Sequence, residues 1–178
     1  MKILCLTPIK HLDGVYEYLE SFGKVDYMPE LKTIDFDLSS YDLLFCNPNK
    51  QNYKLDEFTL NNFNGTILTA STGLNHIDID YCNEKGIKVM SHKEDMELLN
   101  ELPSTSELAF GLMCSMLRNI PSGFDDVKKG NWDYDSHMGH QLRGKIIGLI
   151  GYGRLGKMME TFCNAFGMIV MIHALYEV

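Results

Sequence analysis

No two cysteines in this chain have the spacing of a metal site or a redox pair. Cys5, Cys46, Cys82, Cys114 and Cys163 are odd in number and widely spaced, with no CxxC, so neither a zinc site nor a disulfide framework is expected. Most lie in apolar runs and read as buried thiols in a reducing cytoplasm. No apolar run approaches the roughly 20 residues that span a bilayer. Residues 1–9 are too short an apolar run for a signal peptide and read as a first strand. An excess of positive charge is also missing. The 16 Lys and Arg face 24 Asp and Glu, a net charge of -8. That argues against nucleic acid or an anionic membrane as the main partner, while a phosphorylated ligand needs only local donors. There is no internal repeat and no low-complexity tract. What remains is 178 residues, 45% hydrophobic and 22% charged. That is the composition of a globular protein with room for one full domain or one and a half smaller ones.

Strand and helix signals alternate through the first hundred residues. Residues 2–8, 24–28, 41–47, 65–70 and 87–90 read as strands, and Asn47-Pro48-Asn49 as a turn. Residues 11–22 carry Leu12, Val15, Tyr16, Leu19 and Phe22 at helical spacing, with Gly23 as a stop. Residues 54–63 and 78–85 are also read as helices, the latter stopped by Gly86. Such alternation, with near-continuous apolar strands, predicts a doubly wound, mostly parallel sheet.

A second body is expected over residues 102–178, after a first over 1–101. Ser104-Thr-Ser-Glu107 fits a capping box. The nearly all-apolar stretch 108–120 then reads as a widely buried helix ended by Pro121. A polar loop with His137 and His140, both read as solvated, leads to an apolar run, residues 146–150. Next comes Gly151-x-Gly153-x-x-Gly156, a helical segment 157–166 and another apolar run, 168–172. That is strand, glycine turn, helix, strand. Gly151 permits the tight turn, Gly153 a close approach by a pyrophosphate, and Gly156 close packing of helix on strand. The helix start offers free N–H groups and a positive dipole end to phosphate. The plainer alternative is a tight turn without a ligand.

Three blocks, in order and at family-like spacing, resemble the D-isomer-specific 2-hydroxyacid dehydrogenases, D-3-phosphoglycerate dehydrogenases included. They are Thr69-Ala-Ser-Thr-Gly-Leu-Asn-His-Ile-Asp78; Thr105-Ser-Glu-Leu-Ala-Phe-Gly111 through Arg118-Asn-Ile120; and Gly130-Asn-Trp132 with Leu142-Arg-Gly-Lys145 and the glycine turn. The resemblance implies a flavodoxin-like parallel-sheet substrate domain followed by the first βαβ unit of a truncated Rossmann domain. It implies hydride transfer between nicotinamide and C2 of a 2-hydroxy or 2-keto acid, with 3-phosphoglycerate one candidate. Substrate carboxylate would meet backbone N–H groups of Ser71, Thr72 and Gly73, with Asn75 orienting the loop; the alternative is an ordinary Ser-Thr-Gly turn. NAD would be held by Gly151, Tyr152, Gly153, Arg154, Leu155 and Gly156, the Arg154 charge adding to the backbone amides. Thr105 is either a cofactor contact or a plain first-turn residue. A homodimer through the helix over 108–120 and the cofactor domain is also implied.

Two departures stand beside the resemblance. The acid that grips the ribose is expected about twenty residues past the glycines, where this chain has Ala174, with Glu177 three residues late. No Arg or Lys follows at 175–178 to receive a 2′-phosphate, so NAD and NADP both stay open. The family's catalytic Arg, Glu and His lie downstream of the glycine turn, and none of the six histidines here matches. No catalytic residue is therefore assigned, His76 is read as structural, and the 178 residues are expected to lack turnover. The alternative function is a non-catalytic nucleotide-binding or dimerisation module of the same fold. A response-regulator-like domain is disfavoured, since Pro8, Ile9 and Lys10 stand where acids would follow the first strand.

Overall fold

Ile3, Leu4 and Cys5 are completely buried, and with Lys2 they form β1 (Lys2–Cys5). Alternation along β1 splits its side chains between two layers. Leu4 joins Leu44, Ile67, Phe63, Leu60 and Ile87 on one face. Ile3 and Cys5 join Ile9 and Leu19 on the other. A strand buried on both sides is what a doubly wound sheet requires. The computed structural model describes residues 1–49 and 52–175, in two units, Met1–Leu99 and Asn100–Val178.

In the first unit, α1 (Val15–Glu20) is followed by β2 (Lys24–Tyr27), β3 (Leu43–Phe45) and β4 (Thr66–Leu68). Next come α2 (Ile79–Lys85), β5 (Lys88–Met90) and α3 (Met96–Asn100). The strand order is β2-β1-β3-β4-β5, with every pairing parallel. This is the expected flavodoxin-like sheet. The direction of winding reverses between β1 and β3, the point where such sheets open a crevice at their carboxyl ends.

Two helices of this unit differ from the sequence reading. The one expected over 11–22 is cut to α1, because Gly14 turns left-handed at φ 75° just before it. The one expected over 54–63 does not form. The Asp56 carboxylate accepts the Phe58 and Thr59 N–H groups at 3.2 and 3.1 Å, and Thr59 Oγ1 accepts the Asp56 N–H at 2.8 Å. That local ring competes with helical bonding. Leu55 meanwhile bridges Ile77 in parallel. By contrast α2 is bounded as read: Asp78 accepts the Tyr81 N–H at 3.1 Å, and Gly86 closes it at φ 69°.

The second unit begins with α4 (Ser104–Leu117) and α5 (Ile120–Lys128). Then β6 (Ile146–Ile150), α6 (Arg154–Ala165) and β7 (Ile169–His173) follow. β6 and β7 pair in parallel through five residue pairs, so the βαβ unit is formed. The long helix expected over 108–120 is broken. Asn119 adopts φ 51°, α4 stops before it, and Pro121 lies in the first turn of α5. Proline fits there because a first-turn N–H has no intrahelical partner. Pro121 therefore starts a helix instead of ending one. The capping box is also absent: Pro103 precedes the first helical residue and no side chain caps it. Only one side of α4 is covered. Phe110, Met113, Cys114 and Leu117 pack on Leu142, Cys163 and Met168, whereas Leu108, Leu112 and Met116 stay exposed. His137, read as solvated, is partly enclosed, with Nε2 3.3 Å from Asp126 Oδ2 and Nδ1 3.3 Å from Ser122 Oγ. His140 is exposed as read. Cys5, Cys46, Cys82 and Cys163 are buried free thiols, and Cys114 is partly so.

Candidate functional site

The carboxyl ends of β3 and β4 bring Asn47 beside the loop that begins at Thr69. Asn47 Oδ1 accepts the Ala70 N–H at 2.9 Å and the Thr69 hydroxyl at 3.1 Å. An N–H can only donate, so the oxygen of the Asn47 amide faces this loop. Ser71 is folded inward: its hydroxyl donates to the Gly73 carbonyl at 2.7 Å and its N–H reaches Thr69 Oγ1 at 3.3 Å. Among the described residues no hydrogen bond reaches the Thr72 or Gly73 N–H, and both residues are exposed. Of the three expected carboxylate donors, two are thus open and the Ser71 amide is engaged. Gly73 and Asn75 line a cavity of about 400 Å³ with His76, Tyr53, Asn49 and Lys54. Burial pushes the Tyr53 hydroxyl up to about 12, so it stays a protonated donor. The Lys54 ammonium lies 3.7 Å from Asp78. A second cavity of about 160 Å³ opens at the winding reversal, lined by Thr7, Asn47 and Glu30 among others. The Thr7 hydroxyl is buried without a partner among the described residues.

His76 is 8% exposed. Its Nε2 lies 3.3 Å from Thr69 Oγ1, and its Nδ1 has no partner among the described residues. Burial holds its pKa below the ordinary histidine value. The ring is enclosed and its uncharged form is favoured. Asn47 escapes sequence reasoning, because the Asn-Pro-Asn string reads as a turn and nothing local reveals a partner 23 positions away.

In the second unit the three glycines occupy three different environments. Gly151 has φ 93°, and its N–H donates to the His173 carbonyl at 2.8 Å. A Cβ on Gly156 would sit 2.6 Å from the Gly151 carbonyl oxygen, whereas a Cβ on Gly153 would meet nothing within 4 Å. Gly153 thus leaves an open cradle at the start of α6, and no side chain caps that helix. The first-turn N–H groups of a helix have no intrahelical acceptors and attract an anion. Arg154, the first residue of α6, has a partner in the chain. Its guanidinium donates to the Leu102 carbonyl at 2.8 Å, in the segment before α4. The Tyr152 hydroxyl is bonded to the Glu160 carboxylate. Leu155 offers its carbonyl to the Ser106 hydroxyl at 3.2 Å. Ser106 is buried and Thr105 exposed in the same helical turn. A capping box hides this contact, since it gives the hydroxyl role to Ser104. Ala174 directly follows β7 and presents no carboxylate; Glu177 lies outside the described residues.

A flavodoxin-like parallel sheet with an open amide loop, followed by a βαβ unit with an uncapped glycine turn, defines a two-part α/β protein of doubly wound class. Residues 7–96 match the family described as D-isomer specific 2-hydroxyacid dehydrogenase, catalytic domain, and residues 110–178 its NAD binding domain. The chain belongs to the D-isomer-specific 2-hydroxyacid dehydrogenase family. It is similar to D-3-phosphoglycerate dehydrogenase of Methanocaldococcus jannaschii, at 36% identity over 102 residues, covering 57% of this chain and 18% of that one. Hydroxypyruvate reductase of Thermotoga maritima is 36% identical over 107 residues, covering 60% and 33%. Among solved structures, D-lactate dehydrogenase from Aquifex aeolicus, complexed with NAD and lactic acid, has a TM-score of 0.79 at 24% identity, covering all of this chain and 52% of that one. NAD-dependent formate dehydrogenase from Staphylococcus aureus, in complex with NAD, has a TM-score of 0.79 at 21% identity, covering 98% and 56%. At these identities the structures establish the fold. The chain spans about half the length of the solved relatives, and the matched segments span a third or less of the curated ones. No helix among the described residues is long and apolar enough to cross a membrane.

Proposed function

We propose that this chain is the acid-binding and cofactor-entry part of an NAD-dependent D-2-hydroxyacid dehydrogenase. The reaction moves a hydride from C2 of a 2-hydroxy acid to the nicotinamide ring and a proton from the hydroxyl to a base, giving the 2-keto acid and NADH. The observation that carries this reading is the uncapped, open cradle at Gly153, where an added methyl would meet nothing within 4 Å. The cradle's role is to receive the NAD pyrophosphate on the first-turn amides of α6. The Thr72 and Gly73 N–H groups take the substrate carboxylate, as amides at the end of a parallel strand are suited to do. Asn75 and His76 shape the cavity beside them.

The substrate is a small 2-hydroxy or 2-keto acid. A phosphorylated acid such as 3-phosphoglycerate would draw on Lys54, whose partner Asp78 offsets its charge. The exposed side of α4 supports a homodimer, and four buried free thiols suit a reducing cytoplasm.

The titratable groups lining the cavity beside the amide loop are Tyr53, Lys54, paired with Asp78, and the enclosed His76; the 178-residue polypeptide alone is expected to bind its ligands without turnover. NADH oxidation with pyruvate or glyoxylate, followed by the absorbance of the reduced nicotinamide, is expected to stay at the blank rate. Turnover that follows the 178-residue protein through purification would overturn this. Titration with NAD by calorimetry is expected to show weak binding. Ala174 at the end of β7 favours a second reading, a module that keeps the fold but holds the adenosine ribose poorly. Complete absence of NAD binding would select that reading.

A further inference from the structure

The loop that offers the Thr72 and Gly73 amides does not hold itself in place. Its first residue is tied by its N–H to Asn47 on the neighbouring strand, 23 positions earlier, at 2.9 Å. Thr69, completely buried, is the hub. Around its hydroxyl lie Asn47 Oδ1 at 3.1 Å, Ser71 Oγ at 2.9 Å, the Ser71 N–H at 3.3 Å and His76 Nε2 at 3.3 Å.

The protons can be placed from the chemistry of the groups. Asn47 Oδ1 and the Gly73 carbonyl can only accept. The Gly73 carbonyl takes the Ser71 proton, and the single Thr69 proton lies between Asn47 Oδ1 at 3.1 Å and Ser71 Oγ at 2.9 Å, both nearer than His76 Nε2 at 3.3 Å. Thr69 Oγ1 then turns its lone pairs toward the Ser71 N–H and the His76 ring. His76 completes the set as the neutral Nε2–H tautomer, donating to Thr69. Its Nδ1 is left as a bare acceptor, consistent with a buried Nδ1 that has no partner among the described residues. Ser71, with its hydroxyl spent on Gly73 and its amide spent on Thr69, bends the backbone so that the next two amides are left open.

We propose that Asn47 and Thr69 are positioning residues for the substrate carboxylate. They hold residues 70–73 in the one conformation that presents the Thr72 and Gly73 N–H groups to the anion, with His76 locked as the Nε2–H tautomer behind them. This rests on the carboxylate reading of the loop given above. The two residues touch no substrate; they act through the backbone they hold.

Threonine-to-valine at position 69 separates this role from a merely structural one. Valine has nearly the same shape but leaves the Ser71 N–H and the His76 ring without their acceptor, so the variants are compared well below their melting temperatures. The experiment is a ¹⁵N-resolved NMR titration of the 178-residue protein with sodium pyruvate, against equal sodium chloride. In the wild type the Thr72 and Gly73 amide signals are expected to move with pyruvate and not with chloride. Thr69→Val is expected to bind pyruvate about tenfold more weakly, the loss of one aligned hydrogen-bonded contact, and to speed hydrogen exchange at the Ala70 amide. Thr69→Ser, which keeps the hydroxyl, is expected to restore both. Asn47→Leu supplies the same readings from the half-buried end of the network if Thr69→Val does not fold. Imidazole ¹⁵N shifts are expected to show a protonated Nε2 and a bare Nδ1 on His76.

Pyruvate affinity unchanged in Thr69→Val, or in Asn47→Leu where the first does not fold, would overturn the positioning role and leave the carboxylate reading standing. Wild-type Thr72 and Gly73 signals that ignore pyruvate would overturn both. A protonated Nδ1 on His76 would overturn the proton layout.

Discussion

Gly153 and Gly156 are three residues apart in one turn, yet a methyl added to each should do opposite things. On Gly156 the new Cβ would lie 2.6 Å from the Gly151 carbonyl oxygen, a backbone atom that cannot swing aside. Either α6 or the turn after β6 has to shift. Overpacking of this kind costs about 1–3 kcal/mol. In a domain of this size that lowers the melting temperature by roughly 5–20 °C. On Gly153 the Cβ enters open space at a φ of -77°, which alanine tolerates. The reduced freedom of the unfolded chain gains about 0.4–1 kcal/mol. Alanine's poorer showing at a helix start loses a similar amount, so the net change should stay within about 0.5 kcal/mol. What Gly153→Ala loses is the space at the cradle, and NAD binding should weaken by about tenfold or more, with Gly153→Val losing still more. The assay is thermal unfolding by circular dichroism and NAD calorimetry on both variants. If Gly153→Val binds NAD as the wild type does, the cradle is not a phosphate site. If Gly156→Ala melts with the wild type, the packing argument for that glycine is wrong.

Two further outcomes are expected. The depressed pKa of buried His76 means that the unfolded chain takes up this proton first as the pH falls. Its effect is therefore nil above the unfolded value of 6.5. Stability is lost as the pH drops from there to the lower folded value, and no more is lost below it. Urea midpoints followed from about pH 7.5 to about pH 5 should fall in the wild type, and the difference from His76→Gln should carry that slope; parallel profiles would refute it. On the surface, Leu108, Leu112 and Met116 form an exposed stripe at helical spacing, and Ile146, Ile150, Ile169 and Met171 expose one face of the β6–β7 pair. Such apolar area promotes association. Sedimentation velocity should find dimers or larger species that Leu112→Glu and Ile150→Lys diminish; a dilute wild-type monomer would count against this.

Much of the architecture was settled by local chemistry. The strands, Asp78 and Gly86 at the ends of α2, and the order strand, glycine turn, helix, strand depend on neighbours within a few positions, and these were legible in the sequence. So were the turn at Gly151 and the close contact at Gly156, since both follow from the motif's spacing. Periodicity misled where a side chain offered the backbone another partner. Asp56 and Thr59 turned an apparent helix into a ring of turns, and Gly14 shortened α1 by going left-handed. Asn119 broke one apolar run into two helices and gave Pro121 a first-turn seat.

The site depended still more on distant partners. Arg154 stands where a phosphate-binding charge is expected, and its guanidinium also reaches the Leu102 carbonyl, 52 positions away, which nothing local in the sequence shows. Ser106, not Ser104, carries the helix-anchoring hydroxyl, because only the docking of α6 brings the Leu155 carbonyl within reach. Asn47 looks like any turn residue until β3 and β4 lie side by side. The sequence by itself determined which segments become strands, where the glycines must be and which loop carries the small residues, because those properties are local. Which amides remain open to a ligand was decided by the tertiary structure alone, since a donor's availability depends on every acceptor the fold brings near it.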